Sequence, residues 1–142
     1  DYQPGDDARF VHWKSSAKLS RLMMKEFVEE QEDTPQLVLS TFLEEPDEYG
    51  LNQFEKALSC ITSLAYMYLE SGRTFSFYAG DFESKGIGRG TRLKPLLDYL
   101  ALVQPSDEVS LDRAKVVDGA VLFAAGGVPT LPGALCIDYL KL

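Results

Sequence analysis

The sequence predicts an α/β fold in which helices cover both faces of a mostly parallel β-sheet. Short apolar segments bounded by turn residues alternate along the chain with longer segments whose apolar residues recur at helical spacing. That alternation is typical of βαβ units, which build parallel sheets. The chain has 142 residues, the length of one domain, so we expect residues 1–142 to form a single domain.

The first predicted elements precede residue 44. Residues 7–18 have the pattern of a short helix, and residues 21–30 fit a strand better than a helix, although their charge-rich end shows no decisive period. A buried strand follows over residues 37–43 and is entered through Thr34 and Pro35.

A long helix is predicted over residues 51–71. Apolar side chains recur there at intervals of three and four residues, as at Phe54, Leu58 and Ile61, and Gly72 provides a stop signal. The remaining predicted elements are a strand at 74–79, a helix at 93–102 closed by Pro105, a weaker short helix at 111–115, and strands at 119–125 and 135–140.

Parallel sheets of this kind bind their ligands outside the carboxyl ends of the strands. Three predicted loops follow strands and are therefore candidates for a site: residues 40–52, 80–93 and 125–132. We expect the functional side chains outside the N-terminal segment to lie in these loops.

Composition and charge exclude several classes of protein. Hydrophobic residues make up 45% of the chain and charged residues 25%, which is ordinary for a globular domain. The net charge of −8 at pH 7 disfavours nucleic acid and anionic lipid as partners. Residues 26–50 contain nine acidic and no basic side chains. That stretch is either a solvated strand edge and loop or an interaction segment.

The chain contains no apolar run near the ~18 residues that a bilayer crossing needs. It starts at Asp1 without a basic-then-apolar leader. We therefore expect a soluble portion of a longer protein, in which any membrane attachment depends on segments outside this chain.

One N-terminal segment carries a specific motif. It combines a proline–glycine–aspartate turn, an arginine and a histidine–tryptophan–lysine run, formed by Pro4, Gly5, Asp6, Arg9, His12, Trp13 and Lys14. This segment resembles the hallmark of the bacterial family called domain of unknown function 58. We expect residues 1–30 to pack on the rest of the domain. The motif residues either pin that segment in place or form a partner-recognition surface.

The resemblance implies a von Willebrand factor A-like α/β domain. Such domains often hold Mg²⁺ with an Asp-x-Ser-x-Ser motif after the first strand, a threonine from a second loop and an aspartate from a third. The first motif falls on Ser40, Phe42 and Glu44, the threonine is Thr91, and the third loop offers only alanine and glycine. The resemblance therefore implies a degenerate site, and we expect neither a bound metal nor another cofactor.

Signals for catalysis are weak. The Gly-x-Ser-x-Gly elbow of serine hydrolases is absent, and His12 is the only histidine. Cys60 and Cys136 fall in a predicted helix and a predicted strand, where a thiol is usually packed and inert. We expect no enzymatic activity, with a Cys–His pair as a remote alternative.

The basic, glycine-rich residues 85–92 allow three interpretations. Their N–H groups and the helix that follows suit an anion, although they match neither Gly-x-Gly-x-x-Gly nor the P-loop pattern. A flexible loop at the sheet end is the simpler interpretation. The third is a basic patch that meets an acidic protein.

Taken together, the sequence predicts a non-catalytic protein–protein interaction domain. The resemblance implies a MoxR-type AAA ATPase as a partner, in the assembly or maturation of other proteins at the cytoplasmic face of the bacterial inner membrane. Besides the hallmark segment, the residues expected to contact a partner are Glu44, Glu45, Arg89, Thr91 and Arg92. The alternative is a Mg²⁺-dependent, adhesion-type ligand-binding domain, with Glu44 or Glu45 supplying the charge for the metal.

Overall fold

Among the described residues, the first regular element is a four-residue strand, Gln-Leu-Val-Leu, that is buried throughout. The computed structural model describes residues 34–88, 90–126 and 133–142. In chain order the strands and α-helices are β1 (Gln36–Leu39), α1 (Glu48–Glu70), β2 (Phe75–Tyr78), β3 (Glu83–Ile87), α2 (Leu93–Leu102), β4 (Val121–Ala124) and β5 (Leu135–Asp138). Two short 3₁₀ helices, Arg113–Lys115 and Tyr139–Lys141, accompany them.

The five strands form one sheet in the order β3-β2-β1-β4-β5. β1 pairs in parallel with β2 and β4, and β4 pairs in parallel with β5. β3 alone is antiparallel, to β2, at the edge of the described sheet. The predicted α/β class with a mostly parallel sheet is confirmed, and the architecture is compatible with a von Willebrand factor A-like fold.

Most predicted elements are present, but the strands are shorter. The helix predicted at 93–102 has those bounds, and the long helix begins at Glu48, three residues before its predicted start. The short helix predicted at 111–115 is the 3₁₀ helix Arg113–Lys115. The prediction of one uninterrupted loop over residues 80–93 is wrong, because this stretch contains β3.

Both α-helices pack on one face of the sheet. Side chains alternate between faces along a strand, so Phe75 and Phe77 share this face. Tyr68 of α1 stacks on Phe75 with 5.3 Å between ring centroids, and the ring of Tyr99 of α2 lies 5.8 Å from that of Phe77. Large aromatic surfaces removed from water therefore hold the helices to the sheet.

The opposite face is covered by residues 111–117, which include a 3₁₀ helix. The core on this face consists of Val38, Tyr78, Ala120, Leu122 and Ala124, packed against Leu111, Val116, Ala134 and Cys136. The buried amide of Gln36 in β1 donates to the carbonyl of Lys115 at 2.8 Å and accepts from the N–H of Val117 at 2.9 Å. Among the described residues, two α-helices therefore lie on one face and the 3₁₀ helix Arg113–Lys115 lies on the other.

The helix predicted at residues 7–18 and the strand predicted at 21–30 lie outside the described residues. Within the part of the chain that the structure does describe, no helix combines the length and apolar character needed to cross a bilayer.

Candidate functional site

The carboxyl ends of the four parallel strands meet at one side of the sheet, which we call the carboxyl edge. β1 ends there at Leu39, β2 at Tyr78, β4 at Ala124 and β5 at Asp138. Because open α/β sheets bind ligands outside this edge, the loops that leave it are the first place to look for a functional site.

Hydrogen bonds at Ser106 join two of these loops, the β1–α1 loop and the α2–β4 loop. The N–H of Ser106 donates to the carbonyl of Thr41 at 2.7 Å, and its carbonyl accepts from the N–H of Leu43 at 2.9 Å. These bonds form an isolated parallel bridge between Phe42 and Ser106. The two loops are therefore held side by side as an extension of the sheet.

The start of α1 fixes the other end of the β1–α1 loop. The carboxylate of Asp47 caps the helix by accepting from the N–H of Gly50 at 2.7 Å. Gly50 is required here because a Cβ would lie 2.7 Å from the carbonyl oxygen of Glu45. Between this cap and the Ser106 bridge, Glu44 and Glu45 are exposed on a short, anchored turn.

Two depressions flank the joined loops. The first, the strand-end crevice, has a volume of about 240 Å³ and is lined by Phe42, Leu43, Glu44, Glu45, Asp47, Tyr49, Gly50, Ala125, Gly126 and Leu140. The second, which we call the proline groove, has a volume of about 420 Å³ and is lined by Leu43, Pro46, Pro105, Ser106 and Asp107. Leu43 contributes to both and is itself almost fully buried.

Four exposed carboxylates lie on the two joined loops; Asp107 lines the proline groove, and Glu44 and Glu45 line the strand-end crevice beside it. This acidic rim consists of Glu44, Glu45, Asp107 and Glu108. Among the described residues, none forms an ion pair with the rim, whereas Lys94 and Asp98 of α2 pair with each other at 2.8 Å. Unpaired surface carboxylates retain their full charge for an incoming group.

Other acids at the carboxyl edge are already engaged. Asp138 accepts from the N–H of Leu140 at 3.0 Å. Asp81, after β2, accepts from the hydroxyl of Tyr99 at 2.7 Å. Burial, together with the hydrogen bond and charge of Asp81, raises the pKa of Tyr99 well above its usual range. The tyrosine therefore stays a neutral donor, and the pair serves to fix α2.

The carboxyl edge fits a Mg²⁺ site poorly. Phe42 presents a hydrocarbon ring where the metal-binding motif requires a hydroxyl, and the Ser106 hydroxyl accepts from the N–H of Glu108 at 3.1 Å. Hard divalent cations need several oxygen ligands converging on one point. In residues 34–88, 90–126 and 133–142, no group of three or more His, Cys, Asp or Glu side chains is placed to hold a metal ion.

Thr91 and Arg92 lie at the opposite side of the sheet from the acidic rim. β3 runs antiparallel to β2, so Ile87 near its end pairs with Phe75 at the beginning of β2. Gly88 and Thr91 then exchange two backbone hydrogen bonds of 3.0 Å in a tight turn. Thr91 and Arg92, which were expected with Glu44 and Glu45 in loops at the carboxyl ends of the strands, therefore lie at the amino end of β2 instead.

The basic groups near this turn are partly engaged. Arg92 adopts a left-handed backbone conformation with φ of 62°, and its guanidinium donates to the carbonyl of Lys85 at 2.6 Å. Lys94 is held by Asp98. Arg89, the remaining basic residue of the predicted patch, lies outside the described residues.

The hallmark residues Pro4, Gly5, Asp6, Arg9, His12, Trp13 and Lys14 also lie outside the described residues, so their predicted roles stay predictions. Cys60 and Cys136 are half-buried, and burial raises the pKa of the Cys60 thiol. A raised pKa keeps this sulfur protonated and weakly nucleophilic.

Sequence reasoning missed the α2–β4 loop as part of the site. Its exposed members include Asp107, Glu108 and Val109, and Leu102 precedes it at the end of α2. The proline at position 105 and the two adjacent acids were the available signals. A simple βαβ unit would place this loop at the amino ends of the strands, whereas β3 reverses the direction of α2 and brings the loop to the carboxyl edge.

The sequence of this chain is similar to that of a known protein family. The family model described as "Protein of unknown function DUF58" matches residues 1–77, which include the hallmark segment, β1 and α1. No curated protein and no solved structure matches the chain. Because the family match covers more than half of the 142 residues, the chain belongs to the DUF58 family of proteins of unknown function.

Proposed function

We propose that this chain is a non-catalytic protein-interaction domain that binds its partner at the carboxyl edge. The observation that supports this most directly is the acidic rim, whose four carboxylates are exposed and pair with no base among the described residues. Charges arranged in this way steer a partner of opposite sign and fix its register.

The carboxyl edge is also rigid enough to serve as a docking surface. The backbone hydrogen bonds of the Ser106 bridge join the two loops, and the carboxylate of Asp47 fixes the end of the β1–α1 loop by accepting from the N–H of Gly50. A surface that is ordered before binding loses less conformational entropy when a partner arrives.

Exposed apolar side chains at the same edge supply contact area. Leu102 is 77% exposed and Val109 is 72% exposed, the two highest values among the large apolar residues of the described chain. Leu102 precedes the α2–β4 loop and Val109 lies in it, and this loop carries Asp107 and Glu108 of the acidic rim. Apolar groups beside a ring of charge are a frequent arrangement at transient interfaces.

The partner we propose is a MoxR-type AAA ATPase, and the task is the assembly or maturation of other proteins at the cytoplasmic face of the bacterial inner membrane. This part of the proposal comes from the family resemblance and is an argument by association. The carboxyl edge supplies the surface on which such a partner would dock.

Co-purification with a MoxR-type AAA ATPase tests the proposal. We expect Glu44→Lys/Glu45→Lys to weaken the complex at least about tenfold in calorimetric titration. The matched control Glu55→Lys/Glu70→Lys makes the same charge change on the exposed side of α1 and is expected to leave the affinity nearly unchanged.

A second variant tests whether the partner binds at the carboxyl edge or at the turn after β3. Arg92→Glu alters the turn after β3, far from the acidic rim, and we expect it to leave ATPase binding intact. Loss of binding in Arg92→Glu with retention in Glu44→Lys/Glu45→Lys would move the docking surface to the opposite edge and overturn the assignment.

A further inference from the structure

We propose that the element recognised at the carboxyl edge is a short extended segment of the partner that carries basic residues on both sides of an apolar side chain. This inference rests on the proposed function and adds the chemistry of the bound segment. It assigns the apolar side chain to the proline groove and the basic side chains to the acidic rim.

The proline groove is suited to an apolar side chain. Its walls include Pro46 and Pro105, whose nitrogens carry no hydrogen to donate, and its floor is Leu43, which is 3% exposed. The N–H of Leu43 already donates to the carbonyl of Ser106, and the N–H of Ser106 donates to the carbonyl of Thr41. An apolar side chain that enters can therefore contact the hydrocarbon of Leu43, Pro46 and Pro105, beside the polar Ser106 and Asp107, and it gains free energy where these contacts remove it from water.

The charge around the groove selects a basic segment. Glu44 and Glu45 lie on the side of the β1–α1 loop, and Asp107 and Glu108 lie on the side of the α2–β4 loop. Neither residues 40–50 nor residues 101–112 contain a lysine, arginine or histidine. A segment with basic residues flanking its apolar anchor would place one cation near each wall, whereas an acidic segment would be repelled by both.

Leu102 and Val109 add exposed apolar side chains on either side of Pro105 and Ser106 in the sequence. Leu102 lies three residues before Pro105, and Val109 lies three residues after Ser106. Two exposed side chains and a small groove are covered by a few side chains of a partner rather than by a broad interface. A linear segment supplies such contacts better than a large folded face.

Fluorescence anisotropy with synthetic peptides tests this inference on the full 142-residue chain. The probe is a peptide of about nine residues in which lysine and leucine alternate, a length typical of extended-segment recognition. One matched peptide replaces leucine by serine, and another replaces lysine by glutamate. We expect saturable binding of the lysine–leucine peptide, about tenfold weaker binding of the lysine–serine peptide, and no binding of the glutamate–leucine peptide.

Two variants of the chain assign the contacts. Glu44→Lys/Glu45→Lys is expected to weaken both lysine peptides, because it removes the acidic wall. Leu102→Ser/Val109→Ser is expected to weaken the lysine–leucine peptide alone, and since both side chains are highly exposed, the variant should fold normally. Equal binding of the two lysine peptides, or unchanged binding to both variants, would overturn the inference.

Competition separates this inference from the proposed function. If the ATPase binds and the lysine–leucine peptide displaces it, both stand. If the ATPase binds but the peptide neither binds nor competes, the interaction function survives and the basic-segment inference fails. If the peptide binds to the acidic rim while the ATPase does not bind, the inference stands and the proposed partner is wrong.

Discussion

Gln36 shows how one buried amide can position a long segment. It lies in the most deeply buried strand, yet both ends of its side chain are satisfied by the backbone of Lys115 and Val117. The pairing recovers the hydrogen bonds that the amide and the loop lose on leaving water. The packing of residues 115–117 on the sheet therefore depends on a side chain whose hydrophobic neighbours in β1 do not indicate this role.

Replacing Gln36 by leucine should lower the free energy of unfolding by about 1–3 kcal/mol, because the carbonyl of Lys115 and the N–H of Val117 lose their partners. Urea denaturation measures the change. Gln104→Leu alters an exposed glutamine and is expected to change stability by less than about 0.5 kcal/mol. Equal stability of the two variants would show that the Gln36 hydrogen bonds contribute nothing net.

Tyr68 gives the molecule a pH dependence in the alkaline range. Burial raises its pKa to about 12, against a small opposing effect of Arg73. In the unfolded chain a tyrosine titrates near pH ~10. Between these values the folded state keeps a proton that the unfolded state has released, so the stabilising contribution, complete below pH ~10, is lost as pH rises toward 12.

The free energy of unfolding of this chain should therefore fall between about pH 10 and pH 12, and Tyr68→Phe should make the fall less steep. Tyr139, whose pKa burial and the charge of Asp138 also raise to about 12, keeps part of the slope in the variant. Denaturation curves at several pH values give the comparison. An identical slope in the variant and the parent chain would contradict the assignment to Tyr68.

The limits of a helix or strand can depend on a single capping side chain or on pairing with a neighbouring strand. α1 starts at Glu48 because Asp47 caps it, a signal that the sequence contains but that apolar spacing alone does not reveal. β3 is harder to predict, because the sequence Glu-Ser-Lys-Gly-Ile has little β-propensity and only its last residue is buried. Its strand conformation comes from pairing with β2, which is a tertiary effect.

Gly50→Ala should destabilise the fold by about 1–3 kcal/mol, even though alanine is the better helix former by about 1 kcal/mol. The added methyl group would lie 2.7 Å from the carbonyl oxygen of Glu45, so the turn that carries the acidic rim must move. Ser63→Ala, on the exposed side of the same helix, should be neutral or slightly stabilising.

Thermal unfolding of the two variants distinguishes helix propensity from the steric clash. Both substitutions raise helix propensity, but only the methyl group at position 50 contacts the carbonyl oxygen of Glu45. If Gly50→Ala is as stable as Ser63→Ala, the close approach to Glu45 is not a constraint. If the fold is retained, Gly50→Ala should also weaken partner binding through displacement of Glu44 and Glu45.

At the scale of the whole molecule, the unpredicted strand β3 determines which residues after β2 lie at the carboxyl edge. In a simple βαβ unit, the loop after the first strand lies at the carboxyl edge and leads directly into the helix. The order of the predicted elements therefore indicates that Thr91 and Arg92 lie at this edge, near Glu44 and Glu45. β3 instead carries the chain back to the amino ends of the parallel strands. α2 therefore runs toward the carboxyl edge, and Ser106 lies there beside Phe42. Glu44 and Glu45 were predicted correctly as strand-end residues because their strand, β1, lies at the centre of the sheet.

Mg²⁺ is expected to leave the thermal unfolding temperature of this chain unchanged within about 1 °C. A ligand that binds the folded state alone raises stability with concentration, so a functional metal site would give a saturable rise. Phe42 and the engaged hydroxyl of Ser106 give the described carboxyl edge too few converging oxygens for such a site. The control replaces Mg²⁺ by NaCl at equal ionic strength, which accounts for screening of the −8 charge. A rise of several degrees with Mg²⁺ alone, lost in Glu44→Gln/Glu45→Gln, would establish instead that these carboxylates hold a cation and that the edge binds its partner through metal.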